Sequence, residues 1–166
     1  MHAAPPAPAE PVPESVEEYD DFIKNSVAKY VEISKGVDPV VAKQAAALLE
    51  GFQSQRSFLL ISTRAKKPDM TGAEMSVFQD LLKPISESMA RVSSIKDENR
   101  GSPYHNHLST VAEGALVLAW VTVENRPWKH VEESLGSAQF FGNRVLKEFK
   151  EKYDPFIPLA LLWLPN

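Results

Sequence analysis

Apolar residues return about every 3.6 positions in five long stretches of this chain, and almost nowhere do they alternate with polar ones over the length of a strand. The most restrictive stretch is Val77, Phe78, Leu81, Leu82, Ile85, Met89, Val92 and Ile95, which keeps one helical phase across Pro84. A proline in a helix interior removes a backbone hydrogen bond and crowds the preceding turn. Two separate helices would be free to change phase there, so the retained phase predicts one helix, kinked at the proline. A stripe of this length needs other helices to bury it.

The chain supplies them. Ser15 with Glu18 reads as a capping box, followed by Val16, Tyr19, Phe22, Ile23, Val27, Tyr30 and Val31 at helical spacing and closed by Gly36. Asp38-Pro39 reads as N-cap and first helical residue of a second helix carrying Val41, Ala45, Leu48, Leu49, Phe52, Leu59 and Leu60 towards Lys66, stopped by Lys67-Pro68. Gly51 within it costs about 1 kcal/mol against alanine, which points to close packing. Thr71 with Glu74 reads as a second capping box, opening the Pro84 helix. Lys96 to Arg100 ends that helix, with Gly101 as the left-handed residue beyond it.

Ser102-Pro103 then reads as N-cap and N1 of a fourth helix with Leu108, Val111, Ala112, Ala115, Leu116 and Ala119 inward. Trp120 to Val123 turns β-branched, but no partner strand is evident, so it reads as that helix's end. After a loop at Glu124–Pro127, a fifth helix spans Trp128 to Tyr153, with Val131, Leu135, Ala138, Phe141, Val145, Leu146 and Phe149 inward. Its small residues Ser137, Ala138 and Gly142 permit close approach of a neighbour. The expectation is an all-α antiparallel helical bundle over residues 15–153.

Residues 1–14 hold five prolines (Pro5, Pro6, Pro8, Pro11 and Pro13) and read as a flexible, polyproline-like linker. Residues 154–166 form an atypical apolar tail without a polar face, cut by prolines and too short to span a bilayer. Nothing resembles a signal peptide or a membrane span, so a cytoplasmic protein is expected, with no membrane insertion. The net charge of −4 weighs against a general nucleic-acid partner. The absence of cysteine removes disulfides, thiolate zinc sites and cysteine nucleophiles.

The densest chemistry lies at Asn99-Arg100-Gly101-Ser102-Pro103-Tyr104-His105-Asn106-His107-Leu108. His105 and His107 are two apart at a helix start and point to different faces, so no metal site is expected. Ser102, His105 and Glu113 lack a nucleophile elbow, and no phosphate-binding loop is present. No catalytic residue and no cofactor is therefore expected. Lys96-Asp97-Glu98 and Glu132-Glu133 read as solvated faces. Arg56, Arg64, Lys66 and Lys67 read as complementing a helix C-terminus, with an acidic partner as the alternative. Arg144 and Lys147, three apart, share a helix face and with Asn143 suit a protein-binding surface.

Five pieces resemble the N-terminal helical domain of the cyclase-associated proteins. They are Gln55-Arg56-Ser57-Phe58-Leu59-Leu60; Leu82-Lys83-Pro84-Ile85; Asn99-Arg100-Gly101-Ser102-Pro103 with Asn106-His107-Leu108; Ala112-Glu113 leading to Trp120-Val121; and Asn143-Arg144-Val145-Leu146-Lys147-Glu148. The resemblance implies a bundle of six antiparallel helices without enzymatic activity. It implies a domain that binds cofilin-decorated actin and promotes filament disassembly and actin turnover. In full-length members an additional coiled coil binds adenylyl cyclase. The family's sixth helix is expected after Lys150, where this chain carries the unrelated stretch Tyr153–Asn166, so five helices are expected here and the sixth is missing or replaced.

Asn99, Arg100, Ser102, Asn106 and His107 are expected to form the contact or the loop that shapes it, with Arg144 and Lys147 as secondary candidates. The expected partners are actin and cofilin, with adenylyl cyclase for a full-length protein; monomer and dimer both stay open. The alternative is a signalling scaffold that recruits adenylyl cyclase or an SH3-type partner through the Pro-rich arm and bundle surface.

Overall fold

The computed structural model describes residues 11–69 and 71–150. Pro13, extended at φ −62° and ψ 144°, hands the chain into α1 (Glu14–Phe22). A π turn (Ile23–Val27) joins α1 to α2 (Ala28–Lys35), and the three form one rod. Then follow α3 (Pro39–Arg64), α4 (Glu74–Glu98), α5 (His105–Ala115), a 3-10 segment (Leu116–Thr122) and α6 (Pro127–Phe149). The described residues thus form five rods, as the five apolar stripes require.

Neighbouring rods run antiparallel, as short connections dictate. Along α3 and α4, Gln44 meets Val92, Glu50 meets Arg91 and Phe58 meets Phe78. The first rod returns along α3, with Tyr19 on Gln55 and Asp20 on Arg56. Along α5 and α6, Asn106 meets Glu148, and the Leu116 carbonyl meets His130. Helix α3 is the central rod; it buries Val41, Gln44, Ala45, Ala47, Leu48, Gly51, Phe52 and Gln55. Leu48, Leu108 and Leu118 are the largest apolar side chains wholly withdrawn from solvent.

Two glutamines occupy stripe positions of α3. Gln44 Nε2 donates to the Val92 carbonyl at 3.0 Å and the Leu108 carbonyl at 2.9 Å. Gln55 Nε2 donates to the Leu118 carbonyl at 2.7 Å, while its Oε1 accepts from Tyr19 Oη at 2.5 Å and Trp120 Nε1 at 3.3 Å. Burial holds the Tyr19 phenol well above its ordinary pKa. Gly51 lies between the glutamines because space demands it: a Cβ there would stand 2.7 Å from Leu118 Cδ1 and 2.8 Å from Ser88 Oγ.

Several local expectations are corrected. The first helix begins at Glu14, because Pro13 already offers its carbonyl to the Val16 and Glu17 amides; Ser15 lies inside the helix rather than capping it. Asp38 does cap α3, accepting from the Val40 amide at 2.8 Å. Thr71 caps nothing: Asp69 Oδ1 takes both its amide and its hydroxyl, while Glu74 accepts from the Asp69 amide at 2.7 Å. Gly36, at φ −82°, and Gly101 adopt no left-handed conformation. The one positive φ among the described residues is Arg126, at 54°, where the right-handed conformation before Pro127 is disfavoured. Residues 116–122 tighten into a 3-10 helix rather than extending α5. As expected, α4 runs through Pro84 as one helix. The linker expected over 1–14 falls outside the described residues up to position 10, as do the tail over 154–166 and the last turn expected up to Tyr153.

Candidate partner-binding surface

The stretch between α4 and α5 is built by short-range hydrogen bonds. Asn99 ends α4 by sending Nδ2 back to the Ile95 carbonyl at 2.7 Å. Its own carbonyl accepts from the Ser102 amide at 3.1 Å. Ser102 Oγ accepts from the Tyr104 amide at 3.1 Å, and its carbonyl accepts from the His105 amide at 3.0 Å. Ser102 therefore shapes the turn before the helix. Helix α5 begins at His105 rather than at Pro103. Asn99 Nδ2 and Ser102 Oγ are thus engaged within this turn.

His107 belongs to the interior. It is 4% exposed. Its ring stands edge-on to Phe149 at 4.9 Å between centroids and to Tyr104 at 5.3 Å, and Tyr104 in turn stacks on Phe149 at 6.2 Å. This wedge fixes the start of α5 against the end of α6. His107, expected at the contact or in the loop that shapes it, braces that loop from within. Among the described residues no group of three metal-ligating side chains converges.

The exposed candidates lie at the same end. The Arg100 side chain is 77% exposed, with Nη2 3.3 Å from Asp97 Oδ1. Asn106 crosses to α6, its Nδ2 donating to Glu148 Oε1 at 2.6 Å. That bond sets the 99–106 stretch beside the turn that carries Arg144 and Lys147, both exposed. The Arg144 guanidinium lies 4.7 Å from the Phe140 ring centroid and 5.7 Å from that of Phe141. Such stacking holds the cation in place while leaving it charged. Phe140 is 57% exposed, and sequence reasoning passed over it. Its signal was an aromatic off the buried stripe with an arginine four residues on, which helical geometry brings together.

Two of the basic residues in and just beyond α3 are paired. Arg56 does not complement its own helix terminus. Its Nε and Nη2 grip Asp20 of α1 at 2.8 and 2.7 Å, a bidentate pair. The hydrogen bond from Arg56 holds the Asp20 carboxyl below the usual carboxylate range. Lys67 stands 3.6 Å from Glu124.

The fold and this surface define an antiparallel all-α domain with a polar, mixed-charge edge at one end. The model of the family described as "CAP, N-terminal domain" matches residues 19–157. The chain belongs to that family. It is 41% identical over 145 residues to an adenylyl cyclase-associated protein of Schizosaccharomyces pombe, covering 87% of this chain and 26% of that protein. Over 142 residues it is 34% identical to its counterpart in Dictyostelium discoideum, covering 86% of this chain and 30% of that protein. The chain thus spans less than a third of these relatives' length. The solved N-terminal domain of CAP from Dictyostelium discoideum superposes with a TM-score of 0.76 at 33% identity, covering 89% of this chain and 79% of that one. A crystal structure of the N-terminal domain of CAP described as indicating variable oligomerisation superposes at 0.81 with 32% identity, covering 95% and 80%.

Proposed function

We propose that this domain is a non-catalytic actin regulator of the cytoplasm that binds cofilin-decorated actin and promotes filament disassembly. Membership of the CAP N-terminal domain family supports this reading. The observation that carries it to a surface is the edge where Asn106 joins Glu148 and the stacked Arg144 stands out beside Phe140. A rigid aromatic and a pre-oriented guanidinium are the side chains that most often dominate protein interfaces. Arg100 and Lys147 extend the charged rim. The mechanism is differential affinity: a domain that binds a distorted or terminal actin subunit more tightly than a lattice subunit shifts the population towards release. No bond of nucleotide or protein needs to be broken by this chain.

Cosedimentation with cofilin-decorated filaments tests the reading. The full chain is expected to pellet with such filaments and to raise the rate of depolymerisation, and Arg100→Ala with Arg144→Ala to lose both. A double variant that remains folded and binds as well as the parent overturns it. A second reading, recruitment of adenylyl cyclase as a signalling scaffold, is favoured by the name carried by the relatives. Capture of adenylyl cyclase by the chain, unaffected by the two arginine substitutions, would support it.

A further inference from the structure

The bundle is open along one seam. Between α1 and α6 runs a groove of about 290 Å³, walled by Phe22 on one side and by Val131 and Leu135 on the other, and floored by Phe52, Val117 and Trp120. No charged side chain lines it among the described residues. An apolar cavity of about 150 Å³ holds a benzene ring, so this groove has room for one or two large side chains. Its rim leaves Phe22 42% and Val131 38% exposed, and Trp128, one turn before Val131, is 60% exposed. An apolar opening of this kind calls for an occupant.

The chain carries one of matching chemistry. From Phe156 to Leu164 every residue is apolar or proline, with no charge and no hydrogen-bonding side chain other than the Trp163 indole. Asp154-Pro155 just before it is a turn-initiating pair. The span also matches. Helix α6 ends at Phe149, and the walls of the groove lie 14 to 18 residues back along it, roughly 21–27 Å at helical rise. Residues 151–166 extend to roughly 50 Å at most, enough to reverse and run back along α6. Tethering makes the encounter intramolecular, with an effective concentration in the millimolar range, which a second copy has to match in free solution.

We propose that the apolar segment Phe156–Leu164 docks into the α1–α6 groove of its own chain. This assigns a receiving site to the least soluble stretch of the sequence, and it does not depend on the partner reading above.

The chain contains no cysteine, so a single spin label can be placed through Asn166→Cys. In the chain of residues 1–166 the label is expected to erase amide intensity at Val117, Trp120, Val131 and Leu135 and to spare the Gln44 end of the bundle. In the same labelled chain, Val131→Glu is expected to restore the groove amides, with the Gln44 side-chain amide signals reporting an intact fold; Leu161→Asp supplies the same test from the tail should Val131→Glu unfold. Groove amides untouched by the label overturn the proposal. So does loss of intensity when isotope-labelled wild type is mixed with labelled unenriched chain, which identifies a second copy as the occupant.

Discussion

Gln44 and Gln55 lie three turns apart on one face of α3, and between them they tie the central rod to four other segments. Gln44 binds carbonyls of α4 and α5. Gln55 binds the Leu118 carbonyl in the 3-10 segment and accepts from Tyr19 of α1 and the Trp120 indole. Both are within 1% of full burial. A buried amide that lacks partners is costly, so these contacts admit one register of α3 against its neighbours and penalise a slipped one.

Gln55→Leu keeps the volume and removes the hub. It strands the Leu118 carbonyl, the Tyr19 hydroxyl and the Trp120 N–H, each buried group left unmet costing about 1–3 kcal/mol. The expected loss is about 3 kcal/mol. Urea denaturation should show a lower midpoint at unchanged slope. Tyr19→Phe, which removes one neutral hydrogen bond, should cost about 1 kcal/mol.

Gly51→Ala and Gly101→Ala should differ in sign. At Gly51 the helix-propensity gain of about 1 kcal/mol meets a Cβ driven to 2.7 Å from Leu118 and 2.8 Å from Ser88. Ser88 is fixed by its hydrogen bond to the Ala47 carbonyl and Leu118 is fully buried, so neither yields freely. Overpacking of about 1–3 kcal/mol wins, and thermal denaturation should show a lower midpoint. Gly101 has no positive φ and nothing within 4 Å of a built Cβ. There the smaller entropy of the unfolded chain should stabilise by about 0.4–1 kcal/mol.

That contrast shows which features were legible in the sequence. Hydrophobic period is a property of many residues at once, so the five rods, the unbroken α4 and the tight packing at Gly51 could all be read directly. Caps and turns depend on competition between near-equal local options. Ser15 and Thr71 fit a capping pattern but lose to Pro13 and Asp69, whose positions the motif does not weigh. Gly101 suits a left-handed residue, yet Asn99 and Ser102 close that turn by side-chain bonds and need none. His107 reads as polar in a polar string; only the return of α6 places Phe149 over it. Gln44 and Gln55 were readable as polar residues on an apolar stripe, but their partners belong to α1, α4, α5 and the 3-10 segment and follow from the assembled fold alone.

The Asp20–Arg56 pair should report itself through pH. The folded carboxyl titrates below its unfolded value near 4. Its stabilisation is therefore complete above the unfolded pKa and is lost as pH falls through the lower folded value. The pair is partly exposed, 27% for Arg56 and 45% for Asp20, so solvent screens it and Arg56→Ala should cost about 1 kcal/mol at neutral pH. Parent and variant denaturation curves should converge as pH falls through that lower folded value. A gap that persists there would assign the effect to packing of the arginine stem.

Arg100 and Arg144 are exposed whereas His107 is buried, and separate substitutions should divide them. Arg144→Ala removes a guanidinium held over Phe140, and Arg100→Ala a cation on the rim; neither supports the core. Each should weaken binding to cofilin-decorated filaments by about tenfold or less, near 1 kcal/mol, with the thermal midpoint within about 2 °C of the parent. His107→Ala opens a hole between Tyr104 and Phe149. It should lower stability by about 2–3 kcal/mol through lost ring contacts and cavity formation. Binding should weaken only to the extent that α5 and α6 come apart, so at a temperature where this variant remains fully folded it should bind like the parent. Loss of binding by folded His107→Ala at that temperature, with Arg100→Ala and Arg144→Ala unimpaired, would move the contact surface away from α6.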